Sequence, residues 1–413
     1  MRIFYGWIIA GVVSLAWAIS IGPRQAFPVF LLAFLQDFGS SRTATAATFS
    51  IHMSCYALGG WALGALADRL GPRRVIAWST VVWILVLLLC GLPRNLWQLY
   101  LIYGVVGGVA TSGLAYVPNN ALLSRWFIRY RGMATGISQA GVPLGTAAFG
   151  PLAQLGIAWV GWRWTHVGFG LVVAATALPL IVMFLRDDPR EMGLTPDGIP
   201  RGASEAALPS RLLPRVEGFT GSGLPRGYWT VFGANILRGM TMYAILVHQV
   251  VYLVDAGYTR MAAASFFSLG AVIAVPAGLA AGAVSDRVGR PRAYAGFAAL
   301  YVIAYFALLG VQGPSHVVFL SVFILACGMA TGGGPPVFAA FLTDRLQGPR
   351  LGYLLGLQNI GFGIGATFGP LLAGALFDLL GSYALAFVLM VAAMITSSVV
   401  VSAAARRTPT LAR

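Results

Sequence analysis

The chain has 413 residues, of which 58% are hydrophobic and 9% charged, and its mean hydropathy is +0.80. Soluble domains carry roughly 25% charged residues, so this composition excludes a water-soluble globular protein and places the chain in a bilayer. The formal charge of +15 comes from 27 basic residues, all arginine, against 12 acids, and these arginines cluster in loops, which fits membrane topology and anionic headgroups and excludes a nucleic-acid partner.

A spanning helix needs about 20 apolar residues. The sequence divides into twelve such runs, at residues 5 to 36, 43 to 67, 75 to 92, 97 to 124, 132 to 159, 164 to 185, 227 to 254, 261 to 284, 293 to 311, 317 to 343, 351 to 377 and 382 to 404. The apolar run from Phe4 is too long for a signal-peptide core and no A-x-A site follows it, so the first helix is expected to act as its own insertion signal. The expected organisation is a six-helix bundle over 1–185, a linker over 186–226 and a second six-helix bundle over 227–413.

The first span holds Pro23 and Pro28, each lacking a backbone donor, with Arg24 between them. Broken helices survive in a membrane where freed carbonyls face a cavity or a partner helix. A lone guanidinium there costs about 2.5 to 3.5 kcal/mol on insertion scales, and a bound carboxylate offsets that cost through two parallel hydrogen bonds. The second span offers His52, with Tyr56 one turn on, as a weaker proton-exchange candidate. The fourth ends its apolar run with Tyr116, Pro118, Asn119 and Asn120, and buried amides need partners, so Asn119 either staples helices or meets a polar substrate. The fifth and eleventh spans repeat glycine every three to five residues, which lets a neighbouring backbone approach closely.

Six prolines and six of the twelve acids fall in 186–226, which reads as a flexible linker whose charges are solvated. The seventh span carries a second unpartnered arginine, Arg238, followed by His248, Tyr252 and Asp255 at helical spacing, so the last three share one face. An imidazole exchanges protons in the physiological range, which makes His248, then Asp255, the proton-coupling candidates beside His52. Cys55, Cys90 and Cys327 lie inside apolar runs and read as small core residues.

The chain is internally repeated. GALADRLGPRR at Gly64 to Arg74 returns as GAVSDRVGRPR at Gly282 to Arg292, with Asp68 and Asp286 218 positions apart, and Gly132, Gly136, Gly141 and Gly145 are matched 220 positions on by Gly352, Gly356, Gly361 and Gly365. Two copies of one unit therefore make an all-α integral membrane protein of twelve helices in two pseudo-symmetric halves. With the N-terminus in the cytoplasm, 21 arginines fall on that side and only Arg42, Arg94, Arg163 and Arg260 on the other, so both termini are expected to be cytoplasmic. No Walker A motif, dinucleotide-binding glycine fingerprint, HExxH or Cys/His cluster occurs, so neither an enzyme, a cofactor nor a metal site is expected, and transport energy would come from a gradient.

The doubled charged turn resembles the loop between the second and third helices, and its repeat, in the major facilitator superfamily. The resemblance covers the whole chain and implies a cytoplasmic latch in which Asp68, Arg69, Arg73, Arg131, Asp286, Arg287 and Arg290 hold the inner side shut. Within that superfamily, Tyr5-Gly6-Trp7 and RWFIRYRGMATGISQAGVPLG at Arg125 to Gly145 look like the signatures of the monocarboxylate transporter family and its oxalate/formate antiporter relatives. Pro23-Arg24 matches a family position where a basic residue contacts the carboxylate. One departure stands out: the eighth-helix position that is arginine in the family's carboxylate carriers is Gly278, and the aspartate one turn earlier is replaced by Ala274. The resemblance implies proton-linked movement of a small monocarboxylate such as lactate or pyruvate. The expected protein is a monomeric transporter of a bacterial inner membrane in which an anion docks on Arg24 with Tyr116 and Asn119, while Arg238 and His248 line the opposing half. Exchange of other organic anions, or export of amphipathic drugs, is the alternative on the same fold.

Overall fold

The computed structural model describes residues 4–198, 227–346 and 351–406, without the side chains of Tyr116, Val117, Arg131 and residues 351–353. Its helices in chain order are α1 (Tyr5–Gln25), α2 (Phe27–Phe38), α3 (Arg42–Leu70), α4 (Pro72–Leu89), α5 (Leu96–Leu99), α6 (Gly107–Ser112), α7 (Tyr116–Trp126), α8 (Arg131–Gln139), α9 (Gly141–Val172), α10 (Leu178–Phe184), α11 (Tyr228–Asp255), α12 (Arg260–Val288), α13 (Arg290–Gly310), α14 (Val317–Arg345), α15 (Leu351–Leu380) and α16 (Ala384–Arg406). Short π-helical stretches at Tyr100–Val106 and Val173–Ala177 join α5 to α6 and α9 to α10. No strand occurs among the described residues.

These helices make twelve spans. Nine candidate spans among the described residues are long and apolar enough to cross a bilayer by themselves. One of these, 132–184, is two spans, because α9 reverses at Gly161, whose φ of 77° takes the chain out of the helix. The other two are α3, diluted by threonine, serine and histidine, and the broken stretch from α5 to α7.

The first span bends where the sequence withdraws its donors. Pro28 cannot bond the Arg24 carbonyl, and α1 gives way to α2 at Ala26. Pro276 and the Pro335-Pro336 pair, in contrast, remain inside continuous helices.

The internal repeat is visible in the backbone. Ser41 caps α3 through Ala44 N–H at 3.1 Å, and Thr259, 218 positions on, caps α12 through Ala262 N–H at 3.2 Å. Both helices end on a glycine in the left-handed region, Gly71 at φ 91° and Gly289 at φ 89°, a conformation that a side chain resists. The end of the bundle bearing these two turns is called the turn end below, and the opposite one the far end.

The glycine rows match as well. A methyl group on Gly145 would sit 3.1 Å from Ala18 Cα in α1, and one on Gly365 would sit 2.7 Å from Met240 N in α11. Each glycine row therefore seats its helix on the first helix of its own half. The halves meet through α3 against α15 and α9 against α12.

The segment read as a solvated linker has a structural part. Asp187 accepts from Arg73 N–H at 2.8 Å and so caps α4, and Asp188 caps the short turn Pro189–Met192. Residues 199–226 of the expected linker lie outside the described residues.

Candidate functional site

Arg24 is 6% exposed and stands at the end of α1, just before the break. Its Nη2 donates to Gln25 Oε1 at 3.0 Å, and its Cζ lies 4.9 Å from the centre of the Tyr56 ring. Nε and Nη1 are buried and without a hydrogen-bond partner, as are Ser20 Oγ one turn back and the Tyr103 hydroxyl, which lies within the electrostatic range of Arg24. An unmet buried donor costs about 1–3 kcal/mol, more when charged. A guanidinium with two free N–H groups inside a protein is a site shaped for an anion.

Arg238 is the counterpart in the other half. It is 8% exposed, its Nε donates to Asn235 Oδ1 at 3.0 Å, and its guanidinium is held between the Phe338 and Phe362 rings at 4.6 and 4.4 Å. Cation–π contact with both rings adds to the hydrogen bond to Asn235 in holding the charge in place. Met242, Tyr294, Phe297 and Tyr301 line a small cavity beside it. Tyr243, on α11, is within electrostatic range of both Arg238 and Tyr56, and its ring lies 5.6 Å from Phe49 and 5.7 Å from Phe362. Aromatic residues thus link the surroundings of the two arginines across the interface between the halves.

The two histidines differ. His52 is fully buried within its own half, with Nδ1 at 2.9 Å from the Tyr103 carbonyl and Nε2 at 2.9 Å from the Thr111 hydroxyl. A carbonyl cannot donate, so Nδ1 carries the proton, and both nitrogens of the neutral ring are satisfied. His248 is equally buried, with Nε2 at 2.9 Å from the Pro370 carbonyl and Nδ1 at 2.9 Å from the Tyr383 hydroxyl. Unlike His52, it connects to a charged network, because Arg42 Nη1 donates to the same hydroxyl at 2.8 Å and Arg42 Nη2 lies 2.7 Å from Asp255. His248, Tyr252 and Asp255 do face one way on α11, towards Tyr383 and Arg42.

Asn119 is buried, and its amide nitrogen donates to the Leu114 and Ala115 carbonyls at 2.9 and 3.0 Å. It closes the break between α6 and α7, and the polar neighbours of Arg24 are Gln25 and Tyr56 instead. The side chains of Tyr116 and Arg131 lie outside the described residues.

At the turn end, Asp68, Arg69, Asp286 and Arg287 are exposed. Arg73 donates to the Val182 carbonyl at 2.7 Å within the first half, and Arg290 meets Asp286 at 2.7 Å and Asp344 at 3.2 Å within the second, so none of these contacts crosses between the halves. The described polar contacts that cross between the halves lie from mid-α3 to the far end: Ser54 to Thr367 at 2.9 Å, Arg42 to Asp255 and Tyr383, and Asp378 to the first turn of α3. In this conformation the halves are tied at the far end.

The segments Tyr5-Gly6-Trp7 and Arg125 to Gly145 meet at the turn end. The Trp7 and Phe127 rings are 4.7 Å apart, Tyr5 and Trp126 5.7 Å, and the Tyr5 hydroxyl donates to the Phe184 carbonyl at 2.9 Å. Gly278 and Ala274 also have a packing role. A methyl on Gly278 would sit 3.2 Å from the Gly332 carbonyl, and one on Gly332 would sit 2.7 Å from Ala274 Cα, so α12 and α14 approach too closely there for an arginine in this arrangement.

Sequence reasoning missed Ser20, Tyr103, Tyr243, Tyr383 and Arg42. Arg42 had been placed by topology alone, and only the neutral polar residues beside an unpaired charge could have signalled the others.

A family model described as Major Facilitator Superfamily matches residues 6–331 and 276–413. The chain is 27% identical over 403 residues to monocarboxylate transporter 13 of Bos taurus, covering 95% of this chain and 88% of that one. It is 26% identical to an uncharacterized MFS-type transporter of Bacillus subtilis, over 88% and 86% of the two chains. Among solved structures, a bacterial homolog of the human lysosomal transporter Spinster superposes with a TM-score of 0.71 at 17% identity, over 98% of both chains. A D-xylose-proton symporter does so with a TM-score of 0.70 at 14% identity, over 100% and 98%; at these identities the likeness is one of fold.

Proposed function

Because this chain belongs to the major facilitator superfamily, we propose that it is a secondary transporter of a small organic carboxylate, working by alternating access, with Arg24 as the carboxylate anchor. The observation that carries the reading is the pair of buried, unpartnered nitrogens on Arg24. Both nitrogens carry N–H donors that the oxygens of an anion can meet, and a bound carboxylate would offset an uncompensated charge in the membrane interior. The likeness to proteins named monocarboxylate transporters supports this class of substrate. The arginine asymmetry of the loops supports an orientation with the turn end in the cytoplasm and the far end outside; on this reading, in a bacterial inner membrane, the turn-end residues Asp68, Arg69, Arg73, Arg131, Asp286, Arg287 and Arg290 would engage across the halves when that side closes.

Proton symport of lactate or pyruvate fits a site whose anchor is a single arginine, since an anion and a proton cross together without moving net charge. The test is uptake of radiolabelled lactate, pyruvate and formate into proteoliposomes, with and without an inward proton gradient, beside Arg24→Ala. Gradient-stimulated uptake that the variant loses is the expected result. Undiminished uptake by Arg24→Ala sinks the anchor.

One observation favours a second reading. Arg238, in the opposing half and in contact with the Phe338 and Phe362 rings, adds another charge without an acidic partner among the described residues. Two guanidiniums and one monoanion leave a net positive cavity, whereas exchange of a doubly charged organic anion would not. Counterflow from preloaded vesicles separates exchange from symport.

A further inference from the structure

We propose that Tyr383 is a positioning residue through which the proton state of His248 controls the far-end interface between the halves, so that a proton on His248 unlocks that end. The proposal rests on alternating access and on no particular anion.

Tyr383 lies in the turn between α15 and α16, 2% exposed, with its ring packed on Phe377, Phe387, Tyr252 and His248 at 4.6, 5.3, 6.0 and 5.2 Å. Its hydroxyl oxygen accepts from Arg42 Nη1, since a guanidinium can only donate. The Pro370 carbonyl fixes the proton of neutral His248 on Nε2, which leaves Nδ1 as an acceptor for the Tyr383 O–H. The series Arg42 to Tyr383 to His248 to Pro370 is thus fully satisfied when His248 is neutral. Arg42 comes from one half and the other three from the opposite half, so the Tyr383 hydroxyl that satisfies the imidazole also accepts the hydrogen bond that crosses the interface.

A proton on Nδ1 reverses one of those bonds. Nδ1 then becomes a donor, the Tyr383 hydrogen must turn away, and an imidazolium and a guanidinium converge on one oxygen. The charged and titratable groups that bear on His248 are Arg42, Asp378, Tyr383 and Tyr252, with Asp255 held by Arg42. The carboxylates are already engaged: Asp378 holds Arg42 N, Thr43 N and the Thr43 hydroxyl at 3.0, 2.8 and 2.6 Å, and Asp255 holds Arg42 Nη2. Neither can turn to the imidazolium without releasing α3. The closed far end therefore favours neutral His248 and, by reciprocity, protonation favours opening. The proton is taken up where the far end opens and is released as it closes.

The test is an electron-electron distance measurement on full-length protein in nanodiscs. Spin labels go on Leu92→Cys and Ser315→Cys, exposed far-end positions in different halves, with Cys55, Cys90 and Cys327 replaced by alanine. Between about pH 8 and about pH 5, which brackets the titration range of histidine, the long-distance population should rise on the order of tenfold. In Tyr383→Phe the Arg42–Asp255 and Asp378 contacts remain, so the far end should still close at the higher pH while its response to acid is lost. His248→Gln should flatten the response in the same way, which keeps the test decisive if the tyrosine variant folds poorly. A parent without an acid response, or a Tyr383→Phe protein that keeps one, overturns the proposal. Anion uptake plays no part in this readout, so a failure of the substrate assignment would appear separately, as transport-inactive parent protein whose far end still opens in acid.

Discussion

Asp378 and Thr43 are bonded twice across the interface between the halves: Asp378 Oδ2 accepts the Thr43 backbone N–H at 2.8 Å and its hydroxyl at 2.6 Å. A carboxylate from α15 thereby caps α3, where free N–H groups and the helix dipole favour negative charge. The same first turn supplies Arg42 to Asp255 and Tyr383. The tie at this end is a capping interaction and an ion pair built on consecutive residues.

Asp378→Asn keeps the shape of the side chain and removes its charge. The loss at the α3 N-terminus should be about 1 kcal/mol, which is roughly a fivefold rise in the far-end-open population. Distances between labels at Leu92→Cys and Ser315→Cys check it, and an unchanged distribution would mean that the cap does not hold the interface.

Arg24→Lys retains the positive charge but presents it as a point charge on a flexible stem. If a carboxylate binds through the guanidinium's N–H groups, the variant should lose about 1.5–3 kcal/mol, seen as a rise in apparent KM of about tenfold or more. Uptake kinetics in proteoliposomes check this, and full rescue by lysine would argue for simple charge attraction.

Gly365→Ala places a methyl 2.7 Å from Met240 N and 2.9 Å from the Ile236 carbonyl carbon. Backbone atoms cannot rotate aside, so α15 and α11 must separate, at a cost of about 1–3 kcal/mol. Gly145→Ala, in the matching position against α1, should do the same. Both are expected to lower the melting temperature in detergent, whereas Gly356→Ala, which meets nothing within 4 Å, should leave it unchanged.

His52→Gln removes an imidazole whose nitrogens are satisfied by Tyr103 and Thr111 inside one half. It should lower thermal stability and leave the pH profile of uptake where it was. A shifted profile would return His52 to the proton path.

The broad architecture was legible in the sequence because the bilayer imposes its constraint locally. Each span has to be apolar along its length and self-satisfied in its backbone, so hydropathy alone located the runs, including α12 and α14 despite their prolines. The turn at Gly71 and its repeat at Gly289 were equally readable, since a left-handed residue between charged helix ends leaves a glycine, an aspartate and arginines in register. Arg24 and Arg238 could be singled out because a charge in an apolar run is conspicuous on its own.

What surrounds those charges was decided by tertiary structure. Asn119 looked the same in sequence whether it faced a substrate or the carbonyls of Leu114 and Ala115, and His52 and His248 were two similar histidines until their partners appeared. Tyr383, 135 residues from His248, and Asp378, more than 330 from Arg42, carry no local mark of their roles. Hydropathy and turn geometry are properties of neighbouring residues, so one chain suffices to read them. Pairing across two halves depends on how twelve helices pack, and a hydrogen bond between distant residues leaves no periodicity for the sequence to display.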